Sequence, residues 1–455
     1  MGRTMTKICE ITAARRASKE AAQFSLKRNR RSFKDLKSSI EKLRVDPFGR
    51  IDLLLRIQKR LISRILRTER GLKILKDEHL RILALRRGRP PRGLSDALKI
   101  RAKRLSEDIE RGKHLLWVWR CLGDAIPFIY HDKHALKHML YSMEDYSVKQ
   151  SAGALSGNDG RQFEARVMEG FCRRGIPAML CDITNTLRYG DVCVMAESDP
   201  FPIEVKSSLN RNARTARQTE HLLALHAFLS TDKAENFRGT PRVERREFPM
   251  AETWVTKLDE CLRMVRTKRS AIVRPEDGLT YVALKLGCDT AQLDGEVLGK
   301  YVDMLMWNVF IASESWAPYF PFTLTIRRAS DLVALLEGRL GVMVAMDAHA
   351  IMRRFATLGL IATYVDHDKV ALKVHRPNAS VVAGVGVSFH FLRRIQFECE
   401  PIASLIAFAV QGLEHFESMA SGDPSQCSQE DEQMMAEWLG MKPILPTLLG
   451  DDVAS

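Results

Sequence analysis

The chain has 455 residues, 45% of them hydrophobic, and a formal net charge of +14; that length exceeds one ordinary domain and allows two or three cores. Its nine cysteines form no C-x-x-C pair and no short-spaced framework, which argues against a zinc ribbon or a disulfide scaffold and fits a reducing cytoplasm. The longest apolar run, PIASLIAFAV from Pro401, is too short to span a bilayer, so a soluble protein with no membrane partner is expected.

The basic charge is concentrated at one end. Residues 1–120 hold 34 Lys and Arg against 13 Asp and Glu, a net +21, which leaves −7 for the rest. Such asymmetry indicates a polyanion partner, nucleic acid before membrane, or a solvated helical surface. Residues 1–45 read as a basic arm with weak helical periodicity. From Arg50 to Leu85, apolar Leu54, Ile57, Leu61, Ile65, Leu72, Leu75 and Ile82 recur at helical spacing, so a long amphipathic helix is expected. RRGRPPRG, after Arg86, breaks it. A second helix from Leu94 to about Leu122 completes a basic helical hairpin over residues 46–150, which is also a candidate homodimer surface. The break, with Arg87 and Arg89 around Gly88 and Pro90, resembles the core of an AT-hook, in which an arginine enters a narrow minor groove; a basic interhelix turn accounts for the same residues. His131, His134 and His138 have no nearby Cys or well-placed carboxylate, so surface or core histidines are expected there rather than metal ligands.

SAGALSGNDG, residues 151–160, reads as a linker. The pattern after it is helix (RQFEARVMEGFCRRG), three strands (IPAMLCDITNTLR, YGDVCVMAES, FPIEVKSS) and a helix (ARTARQTEHLLALHAFLS). Strands send alternate side chains to opposite faces. Glu204 and Lys206 therefore share one face, and Ile203 and Val205 point to a core. If the second and third strands pair as a hairpin around Ser198-Asp199-Pro200, Asp191 comes beside Glu204. Two adjacent carboxylates repel unless a cation lies between them, and hard oxygen ligands suit Mg²⁺ or Mn²⁺. A salt-bridged pair on an exposed edge strand is the plainer reading of Glu204 and Lys206.

Glu164 on the first helix, Gly190-Asp191, and Glu204-Val205-Lys206 together resemble the PD-(D/E)xK nucleases, the restriction-endonuclease-like superfamily, with Gly190 in place of the usual proline. The resemblance runs from Gly160 to Ser230. It implies a restriction-endonuclease-like α/β core, a mixed central sheet flanked by helices, and Mg²⁺-dependent hydrolysis of DNA phosphodiesters, endonucleolytic by preference. In that reading Asp191, Glu204 and the Val205 carbonyl hold the metal, Glu164 acts on it through water, and Lys206 orients the attacking water. Arg214, Arg217 and Gln218 begin a helix that flanks the scissile phosphate in this family. Gln218 also resembles the Q-x-x-x-Y box of helicase-coupled exonucleases, with Leu222 where the tyrosine would stand. Asp182, Asn185 and Arg188 either reach the phosphate backbone or cap the sheet edge. Nuclease cores of this kind are recruited to restriction and antiphage defence.

The expected architecture is multidomain, α and α/β: arm (1–45), helical domain (46–150), nuclease-like core (151–240), an α/β domain without a chemical motif (241–420) and an acidic tail (421–455). DNA is the expected partner, with RNA left open. The rival class is a catalytically silent nucleic-acid-binding or assembly protein on the same core.

Overall fold

The computed structural model describes residues 17–88, 90–145, 147–149, 153–156, 160–206, 213–245, 252–287, 302–307, 316, 319–367, 369–377, 384–420 and 442–443. The first 16 residues, Arg89, parts of the 151–160 linker and nearly all of the acidic tail lie outside them. The chain forms two compact units, Met1–Arg246 with Asn308–Gly338, and Glu247–Trp307 with Arg339–Ser455. Residues 308–338 thus belong with the N-terminal part rather than with the 241–420 region.

In the first unit, helix α1 (Leu26–Val45) buries Phe33, Leu36, Ile40 and Leu43, one face at spacings of three and four. This corrects the reading of residues 1–45 as an arm, for which many cations had masked a narrow apolar stripe. Helices α2 (Ile51–Arg87) and α3 (Arg92–Asp124) form the hairpin, and all seven apolar positions read from the sequence are buried in α2. Pro91, extended at ψ 150°, caps α3 and prevents one continuous helix. The Phe33 and Trp119 rings, 4.4 Å apart, join α1 to α3.

Helix α4 (Arg161–Arg173) and strands β1 (Ala178–Leu180), β2 (Val192–Val194) and β3 (Phe201–Ile203) follow, then helix α5 (Ala213–Thr231) and the hairpin β4 (Lys233–Phe237) and β5 (Thr240–Glu244). The order helix, three strands, helix is the one expected. Among the described residues the sheet is an antiparallel meander, β1-β2-β3, rather than a mixed sheet. The first strand is also shorter than its apolar pattern. After Leu180 the chain turns into a 3₁₀ helix at Cys181–Ile183, and the Asp124 carboxylate accepts from the main-chain N–H of Asn185 (2.6 Å) and Thr186 (3.0 Å). Those donors are thereby removed from any ladder. The outer edge of β1 is covered by Gln58 of α2, whose amide donates to Ala178 O at 2.8 Å and accepts from Leu180 N at 3.2 Å. A fully buried glutamine here stands in for a neighbouring strand.

Residues 308–338 contribute helix α6 (Ala329–Leu336). The second unit is mixed helix and sheet, as its sequence suggested. One antiparallel sheet orders Ser270–Glu276, Leu279–Lys285, Leu340–Asp347 and Val302–Met306, and another is built around the hairpin Ile361–Asp366 and Val370–His375. Among the described residues, no helix is long and apolar enough to cross a membrane.

Candidate active site

The β2–β3 pairing sets Val192 opposite Ile203, Cys193 opposite Pro202 and Val194 opposite Phe201. This register ends at Val192 and Ile203: Asp191 N donates at 2.9 Å to the carbonyl of Ile203, the residue already opposite Val192, so the regular pairing of Asp191 with Glu204 expected from the sequence is offset by one residue. A side-chain bond crosses the same end of the strand pair, Val205 N donating to Asp191 Oδ2 at 2.8 Å. The β2–β3 turn is fixed by Arg245, which grips both carboxylate oxygens of Asp199 and donates to Asp232 at 2.6 Å. The alternation read for β3 shifts at its ends. Pro202 is the buried residue, Phe201 is exposed, and Ile203, Glu204 and Val205 are all half-buried.

Burial, more than any other cause, raises the Asp191 carboxyl from 3.8 to about 6. The Val205 N–H and Lys206 oppose the shift, while the charges of Glu204 and Glu164 add to it. Asp191 therefore feels all three of the other ionisable residues assigned to the motif. Glu164 is buried in the first turn of α4, where the helix N-terminus favours a negative charge. Lys206 donates to Glu204 at 2.9 Å and is itself exposed.

Gly190 has φ +70°, and a Cβ there would lie 2.8 Å from Ile203 O and 2.9 Å from Ile203 N. A proline, held near −65°, cannot adopt this backbone. The glycine is thus what lets the chain enter β2 tightly against β3. Gly190→Ala is expected to cost about 2 kcal/mol or more, from left-handed strain plus this contact, and to lower the thermal unfolding midpoint accordingly.

The remaining assigned residues sit apart from this cluster. Arg217 and Gln218 are on the exposed N-terminal half of α5, and Arg214 is in its first turn, its side chain outside the described residues. The partners of Asp191 are Val205, Glu204, Glu164 and Lys206, and Gln218 is not one of them. Arg87 is exposed at the end of α2, and Arg89 lies outside the described residues. Asn185 is held by Asp124, its Nδ2 donating to Oδ2 at 2.7 Å. Asp182 and Arg188 lie largely buried near Arg120 and act on each other electrostatically. These polar residues hold the loop into β2. The histidines are also separate: His131 Nδ1 is 3.2 Å from Ser198 O, and His138 Nδ1 is 3.2 Å from Arg238 Nη1. Among the described residues no group of three or more His, Cys, Asp and Glu side chains gathers closely enough to cage a metal ion by itself.

One further residue belongs to the site's surroundings. Lys149 donates to Arg188 O at 3.0 Å and lies 3.7 Å over the Tyr189 ring. Burial lowers its amine to about 8, Arg188 and Arg238 lower it further, and the Glu204 charge opposes them. It stands beside the linker with no motif around it, and only the fold reveals that it faces Glu204.

The chain matches no protein-family model, no curated protein and no solved structure.

Proposed function

We propose that the cluster at the β2–β3 end is the catalytic site of a divalent-metal-dependent nuclease of the PD-(D/E)xK type, acting on DNA. The observation that carries this reading is the surroundings of Asp191: the Val205 N–H bonded to its carboxylate at 2.8 Å, the charges of Glu204 and Glu164 acting on it, and Lys206 paired to Glu204. Two carboxylates acting on a third are an excess of negative charge that a bound cation would relieve. The donor set is all oxygen and suits Mg²⁺ or Mn²⁺. Asp191, Glu204 and the Val205 carbonyl would hold the ion, with Glu164 acting through water.

The bound ion supplies an activated water and neutralises charge on the phosphate. Asp191 is oriented by the Val205 N–H, which donates to its Oδ2, and its carboxylate would be one of the groups to hold the ion. Lys206, on the same end of the strand pair as Glu204, exchanges its carboxylate partner for the attacking water or the phosphate oxygen. The basic surface of the helices retains the polyanion without reading its sequence.

The test is incubation of the purified chain with supercoiled plasmid, linear duplex, single strands and RNA, each with Mg²⁺, Mn²⁺ or EDTA. Metal-dependent loss of supercoiled plasmid is expected, and no metal-dependent product on any substrate would end the proposal. A second reading, nucleic-acid binding without turnover, is favoured by one contact: the Lys206 amine is already bonded to Glu204 at 2.9 Å.

A stability measurement bears on the ion without needing turnover. With its folded-state value raised from 3.8 to about 6, Asp191 binds its proton more tightly in the fold than in the unfolded chain. The contribution of this proton to stability is full below 3.8 and is lost as pH rises through about 6. Above that pH the bare carboxylate welcomes a cation. The rise in unfolding temperature produced by saturating Mg²⁺ or Mn²⁺ is therefore expected to grow from pH 5 to pH 7 by linkage, and Asp191→Asn is expected to remove it.

A further inference from the structure

A cationic recess in the first unit is lined by residues other than those of the carboxylate cluster. A cleft of about 510 Å³ opens between α1 and α6, lined by Lys34, Lys37, Ser38, Arg327, Arg328 and Ser330 among others. Four of its side chains are cationic and one, Glu41, is anionic. Glu41 is bonded to Lys37, which is fully buried and also donates to Thr323 O at 2.6 Å. The other cations of the lining, Lys34, Arg327 and Arg328, are exposed, and Asp331 in the first turn of α6 accepts from Ser330 Oγ at 3.2 Å beside them.

The walls are fixed. Lys37 ties α1 to Thr323 at one place, and Arg30 makes a two-pronged bond to Glu337, at 2.7 and 2.6 Å, at another. Helix α6 points its first turn at the cleft through Ala329 and Ser330, and no side chain caps that end. Uncapped N–H groups and the positive end of a helix dipole favour an anion. The cleft is also the end of a track. Lys27, Arg31, Lys34 and Ser38 are exposed at spacings of four, three and four along α1, so they form one stripe leading into it.

We propose that this cleft seats a phosphate of a nucleic-acid backbone, bound between Lys34, Arg327 and Arg328 against the first turn of α6, with the strand continuing along the Lys27–Arg31 stripe. A compact pocket with a guanidinium pair suits a phosphate oxygen fork, and a continuous row of cations suits a polymer more than a single small anion. The site anchors a strand independently of any cleavage, so it stands whether or not the carboxylate cluster turns over.

The test uses the full chain and a fluorescently labelled oligonucleotide, single-stranded and duplex, with anisotropy read across about 50 to 200 mM salt. Arg327→Gln with Arg328→Gln is expected to weaken binding about tenfold or more and to make the slope of log affinity against log salt shallower by about two; Lys34→Gln alone should change it by about one. All three side chains are exposed, so the unfolding temperature should not move. Unchanged affinity and slope in both charge variants would overturn the assignment. So would displacement of the labelled strand by inorganic phosphate as completely as by unlabelled oligonucleotide at equal phosphate concentration and ionic strength, because the occupant would then be a free anion.

Discussion

Glu204→Ala and Lys206→Ala are each expected to reduce Mg²⁺-dependent cleavage of plasmid by about a thousandfold or more, the scale seen when a group that stabilises charge in a transition state is lost. The two residues form one unit. Their side chains are bonded at 2.9 Å, and Glu204 contributes to the raised carboxyl of Asp191. Removing Glu204 leaves Asp191 as the one acid of the strand pair and frees Lys206 to pair elsewhere. Removing Lys206 leaves two carboxylates with one less cation against them. Neither change should unfold the chain, because Lys206 is exposed and Glu204 is only half-buried. Retention of DNA on a low-salt gel should stay close to the parent's, since the cations of α1 and the helical hairpin are untouched. Lost cleavage with kept retention separates catalysis from binding. A double variant that cuts as fast as the parent would sink the assignment.

What could be read in the sequence follows from how local each interaction is. The α2 seam from Leu54 to Ile82 was legible because contacts at spacings of three and four repeat over about eight turns. The pairing of the second and third strands was legible because a strand repeats every two residues and the turn at Ser198-Asp199-Pro200 is short; the one-residue offset at Ile203 has no such local signal. The packed α1 was missed because its four buried apolar residues are outnumbered by surface cations. The shortened first strand was missed because its partner, Asp124, lies 61 and 62 positions away from the residues it caps. Lys149 and the Gln58 cover on β1 share that character: the latter spans 120 positions. No period or motif carries information across such a distance, and only packing of α2 and α3 on the small sheet brings them together. The cleft of Lys34 and Arg328 is joined by a still longer path, of which the Lys37 bond to Thr323 spans 286 positions.

That dependence on remote contacts leads to the strongest stability effect expected in the first unit, at Asp124. Its Oδ1 accepts from Asn185 N, Thr186 N and Thr186 Oγ1, at 2.6, 3.0 and 3.1 Å, while Oδ2 accepts from Asn185 Nδ2 at 2.7 Å. Gly123 beside it permits the approach, since a Cβ there would come 2.0 Å from Ile183 O. Asp124→Ala leaves two main-chain donors, one on buried Thr186 and one on partly buried Asn185, without this acceptor and is expected to cost about 3 kcal/mol or more, read as an unfolding midpoint lower by about 6 to 12 °C. Because the loop it holds runs directly into Tyr189-Gly190-Asp191, cleavage should fall with it. Burial raises this carboxyl to about 6 despite its four bonds. Its protonated form therefore adds stability that is full below 3.8 and disappears as pH rises through about 6. Asp124→Asn keeps an acceptor for the main-chain donors, loses that pH dependence, and turns one donor against Asn185 Nδ2. It should be less damaging than alanine at pH 7, and more so relative to the parent at pH 5. Equal unfolding midpoints for the parent and the alanine variant would mean that the 184–187 loop is held by other bonds.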